Sequence, residues 1–191
     1  MSSKDDIITL PNLRLRTRSK KVGVITDDIK KLIKDMEAAT LDWEDHREHE
    51  VGVALAAVQI DQHYRVVVIR NNFDDKKDRG FITLINPEIT KYEGKLEEDF
   101  EGCLSVLNTY GKVKRHDKVR VKALNDQGKE IRITAEGFLA RVLQHEIDHT
   151  NGILFVDHIR DNHDAFFSLE ADGKLKPLEY EKATDGLWPN N

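Results

Sequence analysis

The sequence has one cysteine, no long apolar run and little excess charge, and each shortage excludes a class of protein. One cysteine cannot form an intramolecular disulfide, and residues 1–6 lack the apolar core of an export signal. The longest apolar run, Val51 to Val58, is too short to span a bilayer. A formal net charge of -5 over 191 residues argues against wholesale nucleic-acid binding, and we expect no specific DNA binding. We therefore expect one globular domain over residues 1–191, in the reducing cytoplasm and away from membranes.

Residues 144–149, which read Gln-His-Glu-Ile-Asp-His, carry the strongest chemical signal in the chain. Because residues four apart lie on one face of an α-helix, His145 and His149 would project side by side. Two imidazoles at that spacing can bind one divalent metal, and Glu146 beside them can act as a base. The alternative is a core helix whose two histidines only satisfy buried hydrogen bonds.

A hydrolytic metal site has three protein ligands and an open position, so the third ligand decides the class of enzyme. Phe155 stands where metzincin peptidases carry a third histidine, and phenylalanine cannot bind a metal. Glu170 would complete a site like that of thermolysin, although it lies beside a hairpin signal rather than on a second helix. Cys103 is the better candidate, because it is a soft ligand and Gly102 lets the backbone come close.

The hydrophobic pattern predicts an α+β fold, with antiparallel strands packed around a central metal-binding helix. That helix should be buried, with Thr134 as its N-cap and Asn151-Gly152 at its end. A second helix should start at Thr26 or Asp27, after an extended basic arm, and a solvated loop should follow it at 42–50. Strands are expected at 64–69, at 81–85 (ended by Asn86-Pro87) and at 89–99, with hairpins at 118–134 and 166–178.

Three motifs in fixed order give the chain its resemblance to a known family. They are Gly52-Val-Ala-Leu-Ala-Ala-Val-Gln59, Glu101-Gly-Cys-Leu-Ser105 and Gln144-His-Glu-Ile-Asp-His149. The chain resembles the peptide deformylases, whose motifs are Gly-x-Gly-Leu-Ala-Ala-x-Gln, Glu-Gly-Cys-Leu-Ser and Gln-His-Glu-x-Asp-His. The resemblance covers roughly residues 7–160 and leaves 161–191 as a divergent C-terminal hairpin and tail.

The resemblance implies removal of the formyl group from N-formylmethionyl peptides. Cys103, His145 and His149 would hold one divalent metal, with water in the fourth position and Glu146 as general base. The Gln59 amide and the Leu104 backbone N–H would stabilise the oxyanion. The peptide would bind extended beside the strand that carries the first motif, and part of the metal helix would line the methionine pocket. The residues expected there are Val53, Ala54 and Val142.

Two departures from the family pattern bear on this reading. Ala54 replaces the second glycine of the first motif, where the backbone runs close to bound substrate. Val106 follows Ser105 where the family usually has proline. Ala54 motivates one alternative, a relative that binds metal or peptide without turnover. The other alternative is a zinc endopeptidase that uses the same helix with Glu170.

The resemblance also suggests the metal and the partners. Relatives with this thiolate ligand set characteristically use Fe²⁺ in the cell, whereas Zn²⁺ or Ni²⁺ can occupy the purified protein. Formylmethionyl peptides would be the substrate, the ribosome a transient contact and the monomer the working form.

Overall fold

The computed structural model describes residues 2–188 as a seven-stranded antiparallel sheet with helices on its faces. Residues 189–191 of the predicted C-terminal tail lie outside the described part. The order of paired strands is β1-β2-β3-β4-β6-β7, and β5 pairs with β4. The strands are β1 (Ala54–Ala56), β2 (Val66–Arg70), β3 (Phe81–Cys103), β4 (Val106–Leu124), β5 (Glu130–Glu136), β6 (Phe166–Leu169) and β7 (Leu175–Pro177). The helices are α1 (Asp27–Asp45), α2 (Gly137–Thr150) and α3 (Tyr180–Thr184), and short 3-10 turns lie between them. This arrangement confirms the predicted α+β fold.

Strand β2 shows why an unbroken apolar run belongs at the centre of this sheet. Side chains alternate between the two faces of a strand. Val66 and Val68 therefore pack into the cluster under α1, whereas Val67 and Ile69 pack into the cluster under α2. All four are fully buried. At this strand α1 therefore covers one face of the sheet and α2 covers the other.

Both predicted hairpins are present, and the first leads directly into α2. Lys118 pairs with Glu136 and Leu124 with Glu130 in the β4–β5 hairpin. Leu169 pairs with Leu175 in the β6–β7 hairpin. The predicted N-cap Thr134 is wrong, because strand pairing continues to Glu136, which is the N-cap. The predicted end of the helix is confirmed, with Asn151 as the C-cap.

Three segments differ from their prediction. Helix α1 continues to Asp45, so only part of 42–50 is a loop. Asn86 does not end a strand: at φ 54° it makes an irregularity inside β3, and its side chain bonds the backbone of Val22. The basic arm is not a simple solvated strand, because a 3-10 turn at Leu13–Arg16 buries Leu15 completely. No helix among residues 2–188 is long and apolar enough to cross a bilayer.

Candidate active site

Cys103 and the two histidines of α2 meet at the end of strand β3. Their potential ligand atoms all lie within 4.8 Å of one another, and Cys103 Sγ is 3.2 Å from His149 Nε2. Ligand bonds of about 2.3 Å for sulfur and 2.0–2.1 Å for nitrogen put tetrahedral donors roughly 3.4–3.6 Å apart. The separations therefore suit one ion after small adjustments. Among the described residues this is the one cluster of three such groups close enough to hold a metal.

Glu101 orients His145 from outside the ligand set. Its Oε2 lies 2.9 Å from His145 Nδ1. With a proton on Nδ1, Nε2 carries no proton and its lone pair is free to bind a metal ion. Arg115 Nε and Arg141 Nη1 each lie 2.9 Å from Glu101 Oε1. Burial alone would raise the pKa of Glu101, but His145 and Arg115 outweigh it and hold that pKa well below its usual range.

The polar side chains of α2 outside the ligand set are largely buried and partnered. Arg141 and Gln144 are 7% and 3% exposed. Arg141 donates to the carbonyls of Val113 and Glu97, and Gln144 donates to that of His116, so both tie α2 to the β3–β4 ribbon. Asp148 accepts from Arg115 and lies 2.7 Å from His158 Nε2. These contacts fix the rotation of the helix that carries both histidines.

Glu146 is buried beside the ligand cluster with one carboxylate oxygen unused. Its Oε2 has no hydrogen-bond partner within residues 2–188. Burial raises the pKa of Glu146 to about 7, although the charge of His145 acts against it. Burial and His145 lower the pKa of His149 well below its usual value, which leaves a neutral imidazole. A carboxyl with a pKa near neutrality suits proton transfer.

Gln59 is held so that its amide nitrogen faces the cluster. It lies in the 3-10 turn Ala57–Ile60 and is 1% exposed. Its Oε1 accepts from the Ala56 N–H at 2.8 Å. Its Nε2 therefore points the other way, 3.1 Å from Ser105 Oγ and 3.5 Å from Cys103 Sγ. A fixed amide donor therefore lies beside the three candidate metal ligands.

These groups open into one pocket of about 320 Å³. Of the site residues that the family resemblance implies, all except His149 line it: Val53, Ala54, Gln59, Cys103, Leu104, Val142, His145 and Glu146. His149 is fully buried behind them. The wall also contains residues that sequence reasoning missed, namely Trp43, His49, Glu50, Phe100, Tyr110, Phe138 and Leu175. The many charges of 42–50 favoured a solvated loop and gave no sign of this contact.

Glu170, the ligand required by the endopeptidase alternative, has partners elsewhere. Its carboxylate accepts from Ser168 at 3.2 Å and from Lys176 at 3.3 Å, both within its own hairpin. In the described part of the chain it does not join the cluster of Cys103 and the two histidines. The geometry gives no support to a peptidase site built on Glu170.

Comparison with known proteins decides the family. The model of the family described as polypeptide deformylase matches residues 4–165. The chain belongs to the peptide deformylase family. It is 43% identical over 175 residues to "Peptide deformylase 1" of Pseudomonas syringae pv. tomato, covering 91% of this chain and 94% of the relative. It is 48% identical over 145 residues to the peptide deformylase of Halothermothrix orenii, covering 76% and 86%.

Solved structures of the family share its fold. The peptide deformylase of Legionella pneumophila superposes with a TM-score of 0.72 at 41% identity, covering 95% of this chain and 91% of that one. The enzyme from Synechococcus elongatus in complex with actinonin gives a TM-score of 0.75 at 33% identity, covering 94% and 85%. The resemblance read from the three motifs is confirmed, and the chain is an enzyme of a metal-dependent family.

Proposed function

We propose that this chain hydrolyses the formyl group from the N-terminus of formylmethionyl peptides, releasing formate and a free amine. The observation that carries the proposal is the convergence of Cys103, His145 and His149 on one point, beside a buried carboxylate and a fixed amide donor. Cys103, His145 and His149 would hold the divalent ion. When bound, the ion acts as a Lewis acid toward water and the formyl oxygen.

Glu146 transfers the proton, and Gln59 stabilises the negative charge that develops on the substrate. Glu146, with its free Oε2, takes a proton from the attacking water and returns it to the leaving nitrogen. Negative charge that develops on the formyl oxygen is met by the Gln59 amide and by the backbone N–H of Leu104. The hydrogen bond that the Ala56 N–H donates to Gln59 Oε1 keeps the amide from turning its oxygen toward that charge.

The free edge of β1 supports binding of an extended peptide. Among the described strands, β1 is the first in the sheet order and pairs only with β2. Val53 and Ala54 line the pocket along this edge, where a peptide can add as a further strand. Val142 on α2 lines the same pocket and would contact the methionine side chain.

The ligand chemistry bears on the identity of the ion. A thiolate with two imidazoles accepts Fe²⁺, Zn²⁺ or Ni²⁺, and we propose Fe²⁺ in the cell. We further propose that the whole chain acts as one domain and as a monomer in the cytoplasm. Brief contact with the ribosome would follow from a substrate that is a nascent chain.

The choice of bond has a physical reason. A thiolate donates more negative charge to the metal than imidazole does. The metal is therefore a weaker Lewis acid. The formyl carbon carries only hydrogen on its far side and is less crowded than an internal amide. The site is therefore expected to remove the formyl group and to leave the internal peptide bonds of the substrate intact.

The test is to incubate the reduced, iron-loaded protein without oxygen, first with formyl-Met-Ala-Ser and then with an unstructured polypeptide. Formate release without fragmentation is expected. Fragmentation without formate would favour the endopeptidase, and no reaction with either substrate would favour a relative without turnover.

A further inference from the structure

The geometry of β1 fixes the direction in which a bound peptide runs, provided that the proposed function holds. Gln59 and the candidate metal ligands lie beyond the C-terminal end of β1. Residues 46–53 lie before its start. A peptide whose formyl group lies at Gln59 must therefore run antiparallel to β1, toward Val51 and His49. Both of those residues line the pocket.

Alternation along an extended strand then places the third residue of the peptide. Successive side chains point to opposite faces, and each residue advances the chain by about 3.3 Å. If the methionine side chain enters the pocket near Val142, that of residue 2 points away. The side chain of residue 3 points back into the pocket, about 6.6 Å further from the formyl end.

The outer wall of the pocket comes from a segment beyond the family match. Leu175 of β7 lines the pocket, whereas the family model ends at residue 165. The turn of the same hairpin touches the 46–53 loop, because a Cβ placed on Gly173 would lie 3.3 Å from His49 Cγ. The β6–β7 hairpin and the loop before β1 therefore meet at the end toward which the peptide runs.

The hairpin is anchored firmly enough to act as a wall. Strand β6 pairs with β4 through Tyr110 and Phe167. The ring of Phe167 stands edge-on to that of Phe100 at 4.9 Å, and the Lys112 ammonium lies 5.3 Å from both ring centres. Leu175 is carried on the neighbouring strand β7.

The surface at this end is mainly apolar, although His49 and Glu50 also line it. Leu175, Trp43 and Phe100 supply apolar surface to the pocket. Glu50 accepts from the hydroxyl of Tyr110 and lies 3.2 Å from Arg47 Nη1, so its charge is balanced. Such a wall favours an apolar side chain over a polar one, since burial of apolar area is favourable.

We propose that Leu175 is a specificity-determining residue that selects an apolar side chain at the third position of the formylated peptide. The β6–β7 hairpin thereby gives this chain a preference that the shared catalytic motifs do not encode. The residue acts on binding of the peptide and leaves the chemical step unchanged.

The experiment compares three substrates: formyl-Met-Ala, formyl-Met-Ala-Ser and formyl-Met-Ala-Leu. The wild-type protein should prefer Leu over Ser at position 3 through a lower KM. Leu175→Ala should reduce that preference about tenfold, through a higher KM for formyl-Met-Ala-Leu and with a smaller effect on formyl-Met-Ala. Leu175→Met should keep most of the preference. Lys176→Ala alters the next side chain of β7, which points to the opposite face, and should behave as wild type.

The outcomes separate the two proposals. A wild-type enzyme that shows no preference at position 3, or a preference unchanged in Leu175→Ala, would overturn the role of Leu175. An equal loss on formyl-Met-Ala would do the same, because the dipeptide has no third residue to contact. A wild-type protein inactive on all three peptides would instead overturn the proposed function. Circular dichroism and the thermal midpoint establish that each variant is folded.

Discussion

At the scale of single residues, neighbouring groups orient two of the reactive side chains in the pocket. Glu101 faces His145 Nδ1, and Ala56 holds the oxygen of Gln59. Glu146 differs from these two, because its Oε2 lacks a partner in the described chain. Such an unpaired buried oxygen lowers stability and therefore suggests a functional role.

Replacing Glu146 should separate catalysis from metal binding. Glu146→Gln keeps the size of the side chain and removes the base. We expect a normal metal content with a loss of about 10²–10⁴ in kcat, measured by elemental analysis and formate release. Glu136→Gln, an exposed change at the start of the same helix, is the control and should leave the rate unaltered. A Glu146→Gln enzyme of near-normal rate would refute the proton transfer.

Removing the Gln59 amide should slow the chemical step. Gln59→Ala is expected to lower kcat by about 10²–10³ and, because the Ala56 N–H loses its acceptor, to lower the free energy of unfolding by about 1–3 kcal/mol. Ser105→Ala removes a contact of the amide but leaves the donor, so its loss in kcat should be smaller. Equal losses in the two variants would mean that the amide acts only through local structure.

At the scale of elements, one buried ion pair joins α1 to β2 and to the chain that enters β1. Glu44 Oε2 accepts from Arg70 Nη1 at 2.8 Å and from the Gly52 N–H at 3.0 Å. The side chains of Glu44 and Arg70 are 2% and 0% exposed. Neither charge is exposed to water in the folded protein. The pair therefore holds the edge of the sheet against which the peptide is proposed to bind.

Removing one member of this pair should destabilise the fold. Glu44→Ala is expected to lower the free energy of unfolding by about 3–5 kcal/mol, because the Arg70 charge stays buried without its partner. Glu37→Ala breaks a pair with the exposed Lys34 on the same helix and should cost about 0–1 kcal/mol. Urea titration measures both. Similar values for the two variants would show that water reaches Arg70.

Ala54 in β1 should tune affinity for the peptide. It lines the pocket and is 4% exposed. Ala54→Gly removes the methyl beside the proposed peptide track and is expected to change KM more than kcat. Ala56→Gly, in the same strand but outside the pocket wall, controls for the added backbone freedom. A large change in kcat at constant KM would place the effect at the reacting centre.

At the scale of the whole molecule, local sequence patterns predicted the helices and hairpins. They did not predict the contacts between residues far apart in the sequence. The β6–β7 hairpin was predictable because Asp172-Gly173 marks its turn. The approach of His145 to His149 follows from helix geometry alone. The contacts of Glu101 with Arg115 and Arg141 depend on the register of a long, irregular β3–β4 ribbon, which no local pattern fixes. The start of α2 was misplaced because strand pairing through Glu136 overrode the capping preference of Thr134.

Metal binding should be visible in the stability of the whole protein. An ion at 100 times its dissociation constant adds about 2.7 kcal/mol to the free energy of unfolding. The metal-loaded protein should therefore melt at a higher temperature than the chelator-treated one. Cys103→Ala should erase most of that difference and most of the bound metal, whereas His163→Ala, at an exposed histidine, should keep both. A full equivalent of tightly held metal in Cys103→Ala would exclude the cysteine as a ligand.

The one thiol in the sequence also makes this chain a natural single-site reporter. Cys103 is only partly buried and opens onto the pocket. A chromogenic disulfide reagent added to folded protein can therefore react at one place only, and a bound ion would shield that place. The rate of colour development would count metal-free molecules in a sample directly, with no engineered label and no background from other sulfhydryls.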